Sequence, residues 1–206
     1  MIDQIVHNTN LKQEKHTMAL KEELKEFVKI FGQNRKNYGV VSFSDKISLK
    51  LDSLEIFYEN VIFSEFITVG GLMFVNIDPL TELQNSQLNW YKIRDGKGNL
   101  VNDDQNWNKD WIVFANRNDY AIFYNQLDFA VYGTINKLET YKLGDTFEEF
   151  IKILHQCMKL QQDKYNMKAQ DETEAPLPEF LNDIQTILDS NNKGIVNKEF
   201  MKFFFG

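Results

Sequence analysis

Three short runs, Trp111-Ile-Val-Phe-Ala115, Tyr120-Ala-Ile-Phe-Tyr124 and Phe129-Ala-Val-Tyr132, follow one another with only Asn-, Asp- and Arg-bearing breaks between them. Each is rich in aromatic and β-branched residues, each is strand-length, and the breaks are turn residues. The pattern predicts a meander of antiparallel strands, with residues 137–143 offering another. Upstream, Phe66-Ile-Thr-Val69 and Leu72-Met-Phe-Val-Asn-Ile77 read as two more strands, parted by a break at Gly70-Gly71. Tyr38-Gly-Val-Val-Ser-Phe43 reads as extended.

Helical patterns flank these strands. Leu20, Leu24, Phe27, Val28 and Phe31 recur at three- and four-residue spacing, which makes one apolar stripe closed by Gly32. In 45–61, Ile47, Leu49 and Leu51 alternate, yet Ile47, Leu51, Leu54, Phe57 (or Tyr58) and Val61 carry a helical stripe further. The longer period decides for a helix, with Ser44 or Asp45 as its cap. Residues 79–88 read as a short helix opened by Pro79, with Leu80, Leu83 and Leu88 inward. Asp145-Thr-Phe-Glu148 has the form of a capping box with Asp145 at the cap, opening a helix through Phe150, Leu154 and Met158. A short helix over 180–188 and an apolar cluster over 195–205 follow. Helices at both ends of a run of strands predict an α+β fold, with a central, mostly antiparallel sheet flanked by helices. The expected organisation is a flexible leader over 1–17, an α+β domain over 18–162, an acidic linker over 163–179 and a helical appendage over 180–206.

Composition narrows the function classes. The 206 residues are 43% hydrophobic and include 17 Phe, ample for a packed core. The net charge of −7 is the opposite of a phosphate-binding footprint, so a nucleic-acid partner is not expected. No apolar run approaches the ~20 residues that span a bilayer, and Met1-Ile-Asp-Gln-Ile-Val-His7 has no signal-peptide pattern. With one cysteine, Cys157, no intramolecular disulfide can form. These features predict a cytoplasmic protein without a membrane partner. They carry no signal of oligomeric state.

The residue clusters that chemistry requires are missing. The only histidines are His7, His16 and His155. His155 lies two positions from Cys157, and i,i+2 neighbours on a helix do not face each other. No zinc spacing, phosphate loop or nucleophile elbow occurs. Asp189-Ser-Asn-Asn-Lys-Gly194 imitates the start of a calcium loop, but Lys193 stands where an oxygen ligand belongs and Phe200 where a bidentate carboxylate belongs. The expectation is no enzyme, no cofactor and no metal. Asp103, Asp104 and Asp110 are the one carboxylate group that merits weighing for acid–base or cation chemistry. They sit in the polar loop 89–110, beside Trp90, Tyr91 and Trp107. Long loops are commonly functional, and Trp and Tyr favour interface hot spots. Trp90, Tyr91, Asp103, Asp104, Trp107 and Asp110 are therefore the candidate partner-binding residues.

Leu54-Glu-Ile-Phe-Tyr58, Val69-Gly-Gly-Leu72, Pro79-Leu-Thr-Glu-Leu83, the strands from Trp111 to Val131 and Asp145-Thr-Phe-Glu-Glu-Phe-Ile151 come in an order and spacing that resembles the SUKH superfamily. The match runs from about Leu51 to Leu154. Leu-Pro before the second helix and Asn-Gly after it, common in that family, are absent, as in a divergent branch. The resemblance implies an α+β fold without a common active site. It implies a bacterial immunity protein that binds and neutralises a cognate polymorphic toxin, or alternatively a regulatory scaffold in cell-wall or signalling assembly.

Overall fold

A computed structural model describes residues 2–46, 52–191 and 194–206, with side chains from residue 17 onward. In chain order the elements are α1 (Ile2–Gln33), β1 (Ser42–Phe43), α2 (Ser53–Asn60), β2 (Val61–Ile62), β3 (Ile67–Val69), β4 (Val75–Ile77), α3 (Leu83–Ser86), β5 (Lys92–Arg94), β6 (Leu100–Asn102), β7 (Trp111–Arg117), β8 (Tyr120–Asn125), β9 (Val131–Thr134), β10 (Thr140–Gly144), α4 (Phe147–Asp163), α5 (Pro178–Asn191) and α6 (Ile195–Phe205). One six-stranded sheet, ordered β10-β9-β8-β7-β4-β3 and antiparallel throughout, forms the centre. The α+β class expected from the sequence is the class observed.

Both faces of the central strands are covered, which is why β8 reads as an almost unbroken apolar run. Ile122 and Tyr124 face the helices, while Ala121 and Phe123 face a second cluster with Trp107 and Val113. A register shift between Val113 and Ala115 inserts Phe114, so that Phe114 and Ala115 both join the helical side. The Gln87 side chain completes the backbone there, donating to the Val113 carbonyl (2.9 Å) and accepting from its N–H (3.1 Å). On the helical side, Leu20, Leu24, Phe27 and Phe31 of α1 lie buried with Phe150, Ile151, Leu154 and Met158 of α4 in one core. Phe147 is its hub: its ring centroid lies 5.5 Å from that of Phe57, 5.4 Å from Phe114 and 5.8 Å from Tyr124.

Several expectations shift. The helix capped at Ser44 or Asp45 starts at Ser53, where Asp52 accepts from the N–H groups of Leu54 and Glu55. Residues 47–51 of that expected helix lie outside the described residues. Its first part fails because β1 pairs with β2, and the Ser44 N–H donates to the Asn60 carbonyl (2.7 Å). The capping box of α4 sits one residue later than expected. Thr146 accepts from the Glu149 N–H (3.1 Å), and Glu149 accepts from the Asp145 N–H (2.6 Å). Leu80 and Leu88 are exposed rather than inward, because a 3₁₀ turn over Leu80–Glu82 breaks the α-helical period. The leader expected over 1–17 is continuous with α1, whose backbone is helical from Ile2. No Gly or Pro interrupts it there, and an established helix extends at one hydrogen bond per residue.

The expected appendage is part of the main core. Phe180, Ile184, Leu188, Phe200, Phe203 and Phe204 are buried in the same cluster as α1 and α4. Sequence periodicity marked their apolar faces but not what those faces meet. Gly133 of β9 leaves a slot that the Phe203 ring fills: a Cβ there would lie 2.5–2.7 Å from three ring atoms. Arg117 locks the last turn of α6, donating to the carbonyls of Phe204 (2.7 Å), Leu72 (3.1 Å) and Phe74 (3.3 Å). The expected linker folds back through a Gln170–Pro176 bridge around Asp171. No helix among the described residues is long and apolar enough to cross a membrane.

Candidate functional site

The loop 89–110 carries a small hairpin, β5 with β6, whose turn is set by Asp95 accepting from the N–H groups of Lys97 and Asn99 (both 2.8 Å). The loop then folds over the sheet face opposite the helices. Trp107 is only 3% exposed there. Its ring packs on Phe123 (5.0 Å) and Trp90 (5.3 Å), and its indole N–H donates to the Trp111 carbonyl (3.0 Å). Trp107 is thus a core residue, as are the parts of Trp90 and Tyr91 that lean on it.

Asp103 is buried as well. The Lys137 Nζ donates to its carboxylate (2.6 Å) and to the Trp90 carbonyl (2.6 Å), tying the loop to the β9–β10 turn. Lys137 first, and then Asn106, hold the Asp103 carboxyl below the ordinary carboxylate range. Asp103 is therefore a fixed anion with a donor on each carboxylate oxygen, unsuited to proton transfer. Asp104 is exposed; burial first, and then the nearby Asp104 carboxylate, push the Tyr91 phenol upward. Asp110 serves a turn: its N–H donates to Asn108 Oδ1 (3.0 Å) and its carbonyl accepts from the Gln126 N–H (3.0 Å). A shallow depression of about 510 Å³ runs along Asp104, Asn106, Asn108 and Lys109 over the Trp107 and Trp111 rings. Among the described residues no three His, Cys, Asp or Glu side chains converge as metal ligands.

The other chemical candidates are taken up by packing. Cys157 is fully buried and its thiol is pushed far up by burial, the reverse of an activated nucleophile. His155 points to α1, with Nε2 2.6 Å from Glu23 Oε2. Its Nδ1 is buried without a partner, which suits the neutral ring protonated at Nε2. Burial, aided by Lys152, keeps this imidazole below its ordinary value against the opposing pull of Glu23 and Glu26. Asp189 ties α5 to α6 by accepting from Asn197 Nδ2 (2.7 Å) and also accepts from Gln185 Nε2 (2.8 Å). Lys193 of the calcium-loop pattern lies outside the described residues.

A second surface, at the β3 edge, was not singled out by sequence. Ile67 and Val69 point into the core, so alternation places Phe66 outward on the side of Thr68. Phe66 is 48% exposed and stacks on Tyr38, itself 59% exposed, at 5.7 Å between centroids. Tyr38 is held there by two backbone hydrogen bonds with Thr68 (2.8 and 3.0 Å). The chain turns away at Gly39, whose φ of +102° favours glycine and where a Cβ would lie 2.8 Å from Ile67 Cγ2. Val40 stands exposed beside them. A cleft of about 550 Å³ opens on one side of Phe66, lined by Ser64, Glu65, Asp78, Pro79, Glu82, Asn85 and Ser86. A smaller one of about 370 Å³ lies against Tyr38 and Val40 and shares Ser64 and Glu65 with the first. In the larger cleft the Ser86 hydroxyl donates to Asp78 Oδ2 (2.7 Å). Burial first, with Glu82 adding, pushes the Asp78 carboxyl above the ordinary carboxylate range despite that hydrogen bond. The signal for this surface was present in sequence: Phe66 sits out of phase with the buried pair Ile67 and Val69.

No family model, curated protein or solved structure compared with this chain matches it.

Proposed function

We propose that this chain is a non-catalytic protein-binding module, and specifically a cytoplasmic immunity protein that binds and neutralises a cognate toxin. The observation that carries the binding reading is the exposed Tyr38–Phe66 stack beside Val40. Two aromatic rings anchored by a sheet edge, each lining one of two adjoining clefts, have the form of an interface hot spot. A non-catalytic role is supported by the engagement of the chemical candidates: Cys157 is enclosed, His155 is paired and Asp103 is fixed by Lys137. The toxin reading rests on the SUKH-like order of motifs.

Co-expression with toxin domains encoded beside this gene tests both parts. Growth rescue and co-purification are expected, with Phe66→Ser weakening the complex. Lack of rescue against every neighbouring toxin removes the immunity reading. A toxin complex indifferent to Phe66→Ser and Tyr38→Ser removes the assigned surface.

A further inference from the structure

We infer that the cleft beside Phe66 receives an arginine side chain of the partner protein. This rests on the protein-binding reading and adds the chemistry of the contact. The cleft has one aromatic wall, Phe66, one apolar wall, Pro79, and three carboxylates, Glu65, Asp78 and Glu82, and among the described residues no Lys or Arg lines it. The carboxylates do not converge as ligands for a single ion. A cation that satisfies them must extend across the cleft and spread its donors, and a guanidinium does both, with five N–H groups in a planar fork.

Each wall has a part in this. Ser86 occupies only Oδ2 of Asp78, and a carboxylate accepts more than one hydrogen bond. Burial penalises the Asp78 anion, and a guanidinium beside it would reverse that penalty. The exposed Phe66 ring gives the planar cation a face to lie on, an attraction effective within about 6 Å of the ring centroid. Tyr38 stacks on Phe66 and holds it in place. A lysine ammonium would meet the same charge, but as a strongly hydrated point it uses neither the spread acceptors nor the ring face as well. The net charge of −7 draws a basic partner toward the whole molecule.

The test is a titration of the full ¹⁵N-labelled chain with N-acetyl-arginine amide, and separately with its uncharged citrulline counterpart, at low salt. Saturating amide shifts at Ser64–Phe66, Asp78 and Glu82–Ser86 are expected, with affinity on the order of millimolar for so small a ligand. The citrulline compound should bind at least ten-fold more weakly, and Asp78→Asn with Glu82→Gln should weaken arginine binding by a similar factor. Glu65→Gln, a change at an exposed position, supplies a variant with no folding risk and should weaken binding several-fold. Equal response to arginine and citrulline, or shifts confined elsewhere, overturns the inference. A toxin complex that forms but is unaffected by Asp78→Asn with Glu82→Gln also overturns it, while leaving protein binding in place. Arginine shifts at the cleft without any partner complex support guanidinium recognition and remove the toxin reading instead.

Discussion

Replacing Gly133 with alanine should destabilise the protein only while Phe203 is present. The backbone at Gly133 is not in the left-handed region, so alanine is conformationally admissible there. By itself the change would stabilise by about 0.4–1 kcal/mol through the unfolded chain. The added Cβ, however, would lie 2.5–2.7 Å from three atoms of the Phe203 ring, which is 4% exposed and packed against Tyr120 and Tyr141. Overpacking of this kind costs about 1–3 kcal/mol, which leaves a net loss of up to about 2.6 kcal/mol. Phe203→Ala alone should cost about 3–5 kcal/mol. In that background the slot is empty, so Gly133→Ala should be neutral or slightly stabilising, giving a coupling of about 1–3 kcal/mol. Urea unfolding of the four proteins, followed by tryptophan fluorescence and by circular dichroism, measures the cycle. An equal cost of Gly133→Ala in both backgrounds would refute the docking of α6 against β9.

Gln87→Ala should cost about 1–3 kcal/mol, because both backbone groups of Val113 lose their partner, as read from the urea midpoint. His155 is held neutral by burial. Its stabilising contribution is therefore complete above the unfolded-state value near 6.5 and is lost as pH falls through the lower folded-state value. His155→Gln should flatten that part of the stability–pH curve, and an unchanged curve would show that other groups control it. Lys137→Met should raise the Asp103 carboxyl from its depressed position, measurable by carboxyl ¹³C NMR, and lower the unfolding midpoint; adding Asp103→Asn should recover part of that midpoint. Phe66→Ser should change folding stability by less than about 0.5 kcal/mol, as an exposed position, while reducing affinity for the partner by ten-fold or more.

Local periodicity made the meander, the stripe of α1 and the face of α4 legible, because each depends on spacing within one element. What periodicity left out depends on contacts between elements. The strands β5 and β6 hid in a polar loop because their side chains are half or fully exposed and show no alternation, although the Asp95–Gly98 turn between them was readable. The start of α2 was misplaced because pairing of Ser42 with Ile62, remote in sequence, holds the preceding chain extended. The aromatic residues of the candidate loop were correctly found together, but their burial is decided by Phe123 and Lys137 from other strands and turns. Phe66 was readable as an outward residue. Its stacking partner, Tyr38, comes from a distant stretch and was not.

The extra residue at Val113–Ala115 acts as a phase marker for everything after it in β7. Upstream of it, Ile112 faces the helices on an even count; downstream, Ala115 and Arg117 face them on an odd one. A one-residue deletion there would restore a regular strand and turn Arg117 away from the end of α6. Length changes at the Asn118–Asp119 turn carry no such penalty, because a turn can absorb them. Among descendants of this sequence, insertions and deletions should therefore collect at 118–119 and be purged at 113–115, in a strand where amino-acid substitutions alone would leave no such asymmetry.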